Sequence, residues 1–254
     1  MGERTGYEPG TFCWVDVQTS DPQAAKAFYA DLFGWDYEDS PIGDGASYSI
    51  ARVDGLDVAA IGPLAGAGMP PHWNCYVSVA DADSTAARAR DLGATVVLEP
   101  GDVGDSGRLA VLQDPQGALL SVWQPGEHFG AALVNANGAL CWNELLTSDL
   151  GASAAFYRGL FGWDIAETPG AAGQHWSIAN GEIRNGGLMP APPEAHPAWN
   201  LFFAVPDTDA AISRTGELGG GLVAGPMDVP AGRFAVLRDP QGAVFSVLTG
   251  ELDP

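Results

Sequence analysis

The sequence predicts an α+β fold in which two copies of one domain follow each other, each copy holding two strand–helix–strands modules. The first observation behind this is a repeat. Gly10 to Asp36 (GTFCWVDVQTSDPQAAKAFYADLFGWD) and Gly138 to Asp164 (GALCWNELLTSDLGASAAFYRGLFGWD) agree at 15 of 27 positions. The second is that the echo recurs downstream. His72 to Val77 matches Ala198 to Phe203, and Gly107 to Val122 matches Gly232 to Val247 with 12 of 16 identical. The offset falls from 128 to 126 to 125, as small loop deletions between shared elements require. A unit of this size is far longer than the roughly 50 residues of a solenoid repeat. The third observation is that strand signals, a capped helix and further strand signals appear in that order twice within one copy.

The elements of copy one follow in turn. Phe12 to Gln18 alternates, with Cys13, Val15 and Val17 on one face and Trp14, Asp16 and Gln18 on the other, a period-2 strand. Ser20-Asp21-Pro22 offers an N-cap followed by Pro in the first turn, opening a helix through Ala24, Ala25, Phe28, Tyr29 and Leu32 that stops at Gly34. Short strands are expected at 48–52 and 57–62, around the turn Asp54-Gly55. The order then restarts: a strand over 73–79, a helix capped by Asp81 and ended by Gly93, and strands over 95–98, 108–113 and 118–123. The turn Asp114-Pro115-Gln116-Gly117 joins the last two. The domains span 8–124 and 138–250, and the connector 125–137 carries Phe129, Leu133 and Val134, so it is expected to pack.

Composition bounds the function. With 254 residues, 46% of them apolar, each copy can bury its own core. No apolar run approaches a membrane span, and the N-terminus lacks the apolar stretch of a signal peptide, so a cytoplasmic location is expected. Thirty-two acids against 11 basic residues give a net charge of −21, which argues against nucleic acid or an anionic membrane as partner. Three cysteines make no disulfide framework, and the exchange of Cys75 for Leu201 between copies reads as a small buried hydrophobe.

The paired βαβββ modules, the TSD…A..FY..LFGW helix and the DPQGA…S hairpin, each present twice, resemble the vicinal oxygen chelate superfamily of glyoxalases, extradiol dioxygenases and bleomycin-resistance proteins. The resemblance covers about 230 residues. It implies four βαβββ modules forming two domains, each with a curved mixed sheet around a cleft, and metal ligands on particular strands. Those positions hold Trp14, Asn74 and Ser121 in copy one and Trp142, Asn200 and Ser246 in copy two. Trp cannot coordinate a divalent metal, and Asn and Ser are poor ligands beside His and carboxylate. No cofactor is therefore expected, and a divalent metal is disfavoured.

On the same strand faces the cleft candidates are Trp14, Asp16, Asn74, Tyr76, Ser121 and Trp123, and Trp142, Glu144, Asn200, Phe202 and Ser246. Asp16 and Glu144 are equivalent carboxylates. A carboxylate among indoles has its pKa raised by desolvation and can serve as a general base. The alternative is a structural role, each acid bonding backbone or an Arg such as Arg108 or Arg233. Trp73 and Trp199 lie on the opposite face and read as core. His175 with Glu144, or His72 with Asp16, could form a rare alternative metal site; lone histidines more often sit at the surface or satisfied in a core. Two functions remain open. One is a binding protein holding a planar, aromatic or hydrophobic small molecule. The other is an enzyme, glyoxalase-like on 2-oxoaldehydes or metal-independent, with Asp16 or Glu144 as acid or base. A monomer or a homodimer fits either.

Overall fold

In the computed structural model, which describes residues 2–43, 45–66, 68–170 and 173–252, both copies build the same ladder. Copy one runs β1 (Phe12–Thr19), α1 (Pro22–Phe33), β2 (Asp36–Gly43), β3 (Ala46–Val53), β4 (Leu56–Pro63), β5 (His72–Ser78), α2 (Ala82–Asp91), β6 (Thr95–Val103), β7 (Gly107–Gln113) and β8 (Leu119–Pro125). Copy two repeats this as β9 (Leu140–Thr147), α3 (Leu150–Phe161), β10 (Asp164–Gly170), β11 (Gly173–Asn180), β12 (Ile183–Pro190), β13 (Ala198–Ala204), α4 (Thr208–Glu217), β14 (Gly221–Val229), β15 (Gly232–Arg238) and β16 (Val244–Gly250).

Each copy forms one eight-stranded mixed sheet, ordered β2-β3-β4-β1-β5-β8-β7-β6 and β10-β11-β12-β9-β13-β16-β15-β14. The two modules of a copy therefore join within one sheet, through the antiparallel pair of their first strands, β1 with β5 and β9 with β13. The helices start where the sequence marks them. The side chains of Asp21, Asp81, Asp149 and Asp207 each accept the backbone N–H three residues on, the hydrogen bond an N-cap needs. Gly34 and Gly162 end α1 and α3 in left-handed conformation. No helix among the described residues is long and apolar enough to cross a membrane.

Three local expectations are corrected. The strand β2 has no counterpart in the pattern reading, because seven of its eight residues are exposed and it carries Pro41. As the sheet's edge it has no buried face to impose alternation. The strand β6 runs on to Val103 through two register shifts rather than ending at Leu98. Cys13 does not share the helix-side face with Val15 and Val17. A register shift between Phe12 and Trp14 turns Cys13 towards Trp14, Tyr76 and Trp123, and Phe12 takes the helix-side place.

The main core lies between the two sheets and includes all four helices. Rings from α1 reach into copy two: Phe33 meets Phe203 at 4.9 Å and Tyr29 meets Phe245 at 5.6 Å between centroids. Phe12 meets Trp199 at 5.0 Å from the other side. Two reciprocal hydrogen bonds lock this seam. Tyr29 Oη donates to Asp239 Oδ2 (3.0 Å) and Tyr157 Oη to Asp114 Oδ2 (2.9 Å), each phenol reaching the hairpin turn of the opposite copy. Trp35 Nε1 and Trp163 Nε1 donate across the seam as well, to the carbonyls of Gly138 and Gly10.

Candidate functional site

The sheet faces turned away from the helices carry the candidate residues, and the two copies treat them differently. In copy one the register sets Asp16 beside Asn74 on β5 and Ala60 on β4. Three neutral donors converge on its carboxylate: Asn74 Nδ2 on Oδ1 at 2.8 Å, and Tyr76 Oη and Tyr48 Oη on Oδ2 at 2.7 and 2.9 Å. Trp14 Nε1 donates to Tyr48 Oη at 3.0 Å, behind them. Asp16 is only 3% exposed, and this burial raises its pKa against the lowering pull of the three hydrogen bonds. Arg108 is not among its partners; it pairs with Asp83 and Asp102, as Arg233 pairs with Asp209 and Asp228 in copy two.

The connector closes this face. The backbone of Gly126 and His128 bonds to Ser106, and Ala131 N donates to the carbonyl of Cys13 at 2.8 Å. Gly130, at φ +122°, passes so close to β1 that a Cβ would stand 2.3 Å from the Cys13 carbonyl oxygen. His128 stacks edge-on against Trp14 at 4.6 Å, its carbonyl accepts from Trp123 Nε1, and Tyr7 Oη ties down the Ala131 carbonyl. Trp14, Tyr76 and Trp123 are buried beneath this strap.

Copy two has the same ladder and a different donor set. Glu144 lies beside Asn200 and Gly187, where copy one has Asn74 and Ala60 beside Asp16. One carbon has moved from the neighbour to the acid. A Cβ at Gly187 would lie 2.6 Å from His175 Nε2 and 2.7 Å from Glu144 Oε2, so a larger residue there would displace the pair. Tyr48 is replaced by His175, because Ser49 and Trp176 stand opposite the equivalent Ile61 and Leu188. His175 Nε2 approaches Glu144 Oε2 at 3.3 Å, and Trp142 Nε1 donates to the same oxygen at 2.7 Å. Phe202 stands in the place of Tyr76 and brings no hydroxyl; it packs on Phe234 at 5.5 Å. Asn200 turns its amide to Ser246 Oγ at 2.9 Å instead of to the acid. Glu144 is 5% exposed, and its Oε1 is buried without a hydrogen-bond partner.

The imidazole is fixed at its other end by Thr168 Oγ1, 2.8 Å from Nδ1. Thr168 has one hydroxyl hydrogen and a second acceptor within reach, the His175 carbonyl at 3.0 Å. If the hydroxyl caps Nδ1, then Nε2 carries the ring proton. If it turns to the carbonyl, Nδ1–H donates to Thr168 and a further proton must separate Nε2 from the carboxylate. Either way a proton lies between Nε2 and Oε2. The carboxylate accordingly raises the His175 pKa. The imidazole side chain stays 34% exposed, and Trp142 is half-buried with the Arg184 guanidinium 5.5 Å from its ring centroid. The sequence puts Asp16, Asn74, Glu144 and Asn200 on the same strand faces and offers His175 with Glu144 as a rare alternative metal site; the structure sets each acid beside its Asn and brings His175 to Glu144.

The positions that the resemblance implies for metal ligands do not fit a metal. The indole N–H of Trp14 and of Trp142 has no lone pair to offer, and the amide of Asn200 is bonded to Ser246. Among the described residues no three His, Cys, Asp or Glu side chains gather to hold an ion, and His175 with Glu144 make only two.

Comparison with known proteins places this geometry. The model of a glyoxalase-like domain matches twice, over 14–123 and 140–248. A Mycobacterium tuberculosis protein provisionally named glyoxylase CFP32 is 45% identical, with 98% of each chain covered. The anthracycline biosynthesis protein DauV of Streptomyces sp. (strain C5) is 35% identical over 96% of this chain and 94% of its own. Among solved structures, the Mn(II)-bound glyoxalase from Novosphingobium aromaticivorans superposes with a TM-score of 0.66 at 16% identity, covering 100% of this chain and 84% of that one. The 2,3-dioxygenase LapB from Pseudomonas sp. KL28 gives 0.66 at 14% identity, over 98% and 95%. At such identities these likenesses speak to the fold.

Proposed function

Because the chain belongs to the glyoxalase-like domain family of the vicinal oxygen chelate superfamily, in two tandem copies, we propose that its working site is the open sheet face of copy two, which binds a small planar molecule without a metal ion. Copy one serves as its closed structural partner. The observation that carries this reading is the buried, unpartnered Oε1 of Glu144. A buried acceptor without a donor costs about 1–3 kcal/mol, so it persists where something else completes it. A ligand hydroxyl or N–H would do so once the side chains over the oxygen yield to it, since Oε1 is closed off from solvent. The half-buried indole of Trp142 supplies a stacking surface and Phe202 an apolar floor.

The proton held between His175 and Glu144 gives the site an acid and a base in contact, and a bound molecule with an exchangeable proton would share it. This supports acid–base chemistry as the enzymatic form of the same site. A relative bearing the words anthracycline biosynthesis in its name supports a planar, hydroxylated aromatic as the ligand class.

The test uses 1,8-dihydroxyanthraquinone as probe, titrated calorimetrically into the wild type, Glu144→Gln and Trp142→Ala. Both variants should bind at least tenfold more weakly. In parallel, the His175 ring followed by NMR should titrate lower in Glu144→Gln, because the carboxylate that raises it is gone. Absence of binding, or binding that neither substitution changes, would overturn the proposal.

A further inference from the structure

A separate cavity of about 290 Å³ opens at the seam of the two copies, away from the Glu144 face. Its walls come from β5, from β8 with its hairpin turn, and from the start of β13. For scale, an apolar cavity of about 150 Å³ holds benzene, so a molecule of one or two rings fits. Leu119, Leu120, Pro197 and the rings of Trp73 and Trp199 give it an apolar body.

Its polar groups lean towards acceptors. His72 Nδ1 lies 2.9 Å from the Pro70 carbonyl, which can only accept, so the ring hydrogen is there and Nε2 of the neutral ring is an acceptor. Asn74 gives one amide N–H to Asp16 and Gln113 gives one to the Gly117 carbonyl, each keeping a second N–H and its carbonyl oxygen. Trp73 and Trp199 direct their indole N–H groups inwards to Tyr29 Oη and Tyr157 Oη. Three side chains of the wall, His72, Trp73 and Trp199, thus have their one N–H committed elsewhere, and Asn74 and Gln113 have one of two. Ser121 adds a hydroxyl that serves either role. Acceptors (His72 Nε2, the two amide oxygens and the Ser121 hydroxyl) then outnumber the two N–H groups left on Asn74 and Gln113, beside indole rings and in a protein of net charge −21. That combination recognises a cation with N–H groups on an apolar body and disfavours an anion.

We propose that this seam cavity is a second ligand site, selective for a small apolar molecule carrying a protonated amine. Phenethylamine is the probe, compared with 3-phenylpropionate, which has the same ring and the opposite charge. Isothermal titration at neutral pH should give measurable binding of the amine and at least tenfold weaker binding of the acid. Ala198→Trp, at an exposed position on the cavity wall, should weaken the amine at least tenfold by filling the space. Gln113→Leu, which removes an acceptor without filling it, should weaken it severalfold. Trp142→Ala should leave amine binding unchanged, which separates this site from the face of copy two. Equal binding of amine and acid, no binding of the amine, or binding lost in Trp142→Ala and kept in Ala198→Trp would each overturn the proposal.

Discussion

Replacing Tyr29 with Phe tests whether the two copies are one cooperative unit. The hydroxyl accepts from Trp73 Nε1 at 3.1 Å and donates to Asp239 Oδ2 at 3.0 Å in the opposite copy. The ring itself is fully buried and stays, so the perturbation is confined to one oxygen. Oδ1 of Asp239 keeps its three backbone donors from Gln241, Gly242 and Ala243, so the turn itself survives. A hydrogen bond to a charged group contributes about 1.5–3 kcal/mol, and the stranded indole N–H adds about 1 kcal/mol or more. The expected loss is roughly 3 kcal/mol, or about 6–12 °C in Tm for a chain of this size. Tyr157→Phe should match it, since Tyr157 repeats the arrangement with Trp199 and Asp114 at 3.0 and 2.9 Å. Calorimetry should show a single transition that moves as a whole in both variants. A shift below about 2 °C, or a transition that splits so that only one copy melts early, would refute the reasoning.

Three further outcomes are expected. Asp16→Asn removes a buried charge while keeping a carbonyl for Asn74, so at pH 7 its stability should lie within about 1 kcal/mol of wild type or above it, whereas Asp16→Ala strands three donors and should cost about 3 kcal/mol. Burial raises the Asp16 pKa in the folded state, so its contribution to wild-type stability grows as pH falls from neutral through the folded value and levels off below the unfolded value; urea titrations across pH should lose that component in Asp16→Asn. Gly187→Ala places a carbon against His175 and Glu144 and should cost about 1–3 kcal/mol by overpacking while abolishing probe binding on copy two; unchanged affinity would show that the pair takes no part.

Much of the architecture was legible because duplication acts as a built-in comparison. The helix caps, the turn aspartates and the opposed faces of Trp73 and Asn74 are set by local chemistry that both copies repeat. The donor geometry at the acids was not legible, and His175 shows why. Ser49-Ile50-Ala51 and Ser177-Ile178-Ala179 match at offset 128, which sets His175 against Ser47. The ladder, however, pairs Ser49 with Ile61 and Trp176 with Leu188, an offset of 127. A slip of one residue moves a side chain to the other face of a sheet. That slip carries His175 from the place of Ser47 to that of Tyr48, beside Glu144. The residue responsible is Ile42, a bulge near the end of β2 that the ladder of β10 with β11 lacks, and local identity hides the difference.

The comparison of the two acids also explains how an incomplete site is tolerated. In copy one every step strengthens the carboxylate's surroundings: two phenols and an amide donate to it, an indole backs one phenol, and the connector seals the face. In copy two Tyr48 gives way to His175 and Tyr76 to Phe202, and Asn200 turns to Ser246, so two phenols and an amide are lost while His175 and Trp142 both gather on Oε2 and leave Oε1 bare. The unpartnered oxygen left behind costs about 1–3 kcal/mol in the folded state. A single domain near the stability threshold would feel that loss fully. Here the core is shared across the seam, and the locks at Tyr29 and Tyr157 offset a deficit of that size. On the proposed reading, the shared core is what lets copy two keep a buried carboxylate with one unpartnered oxygen.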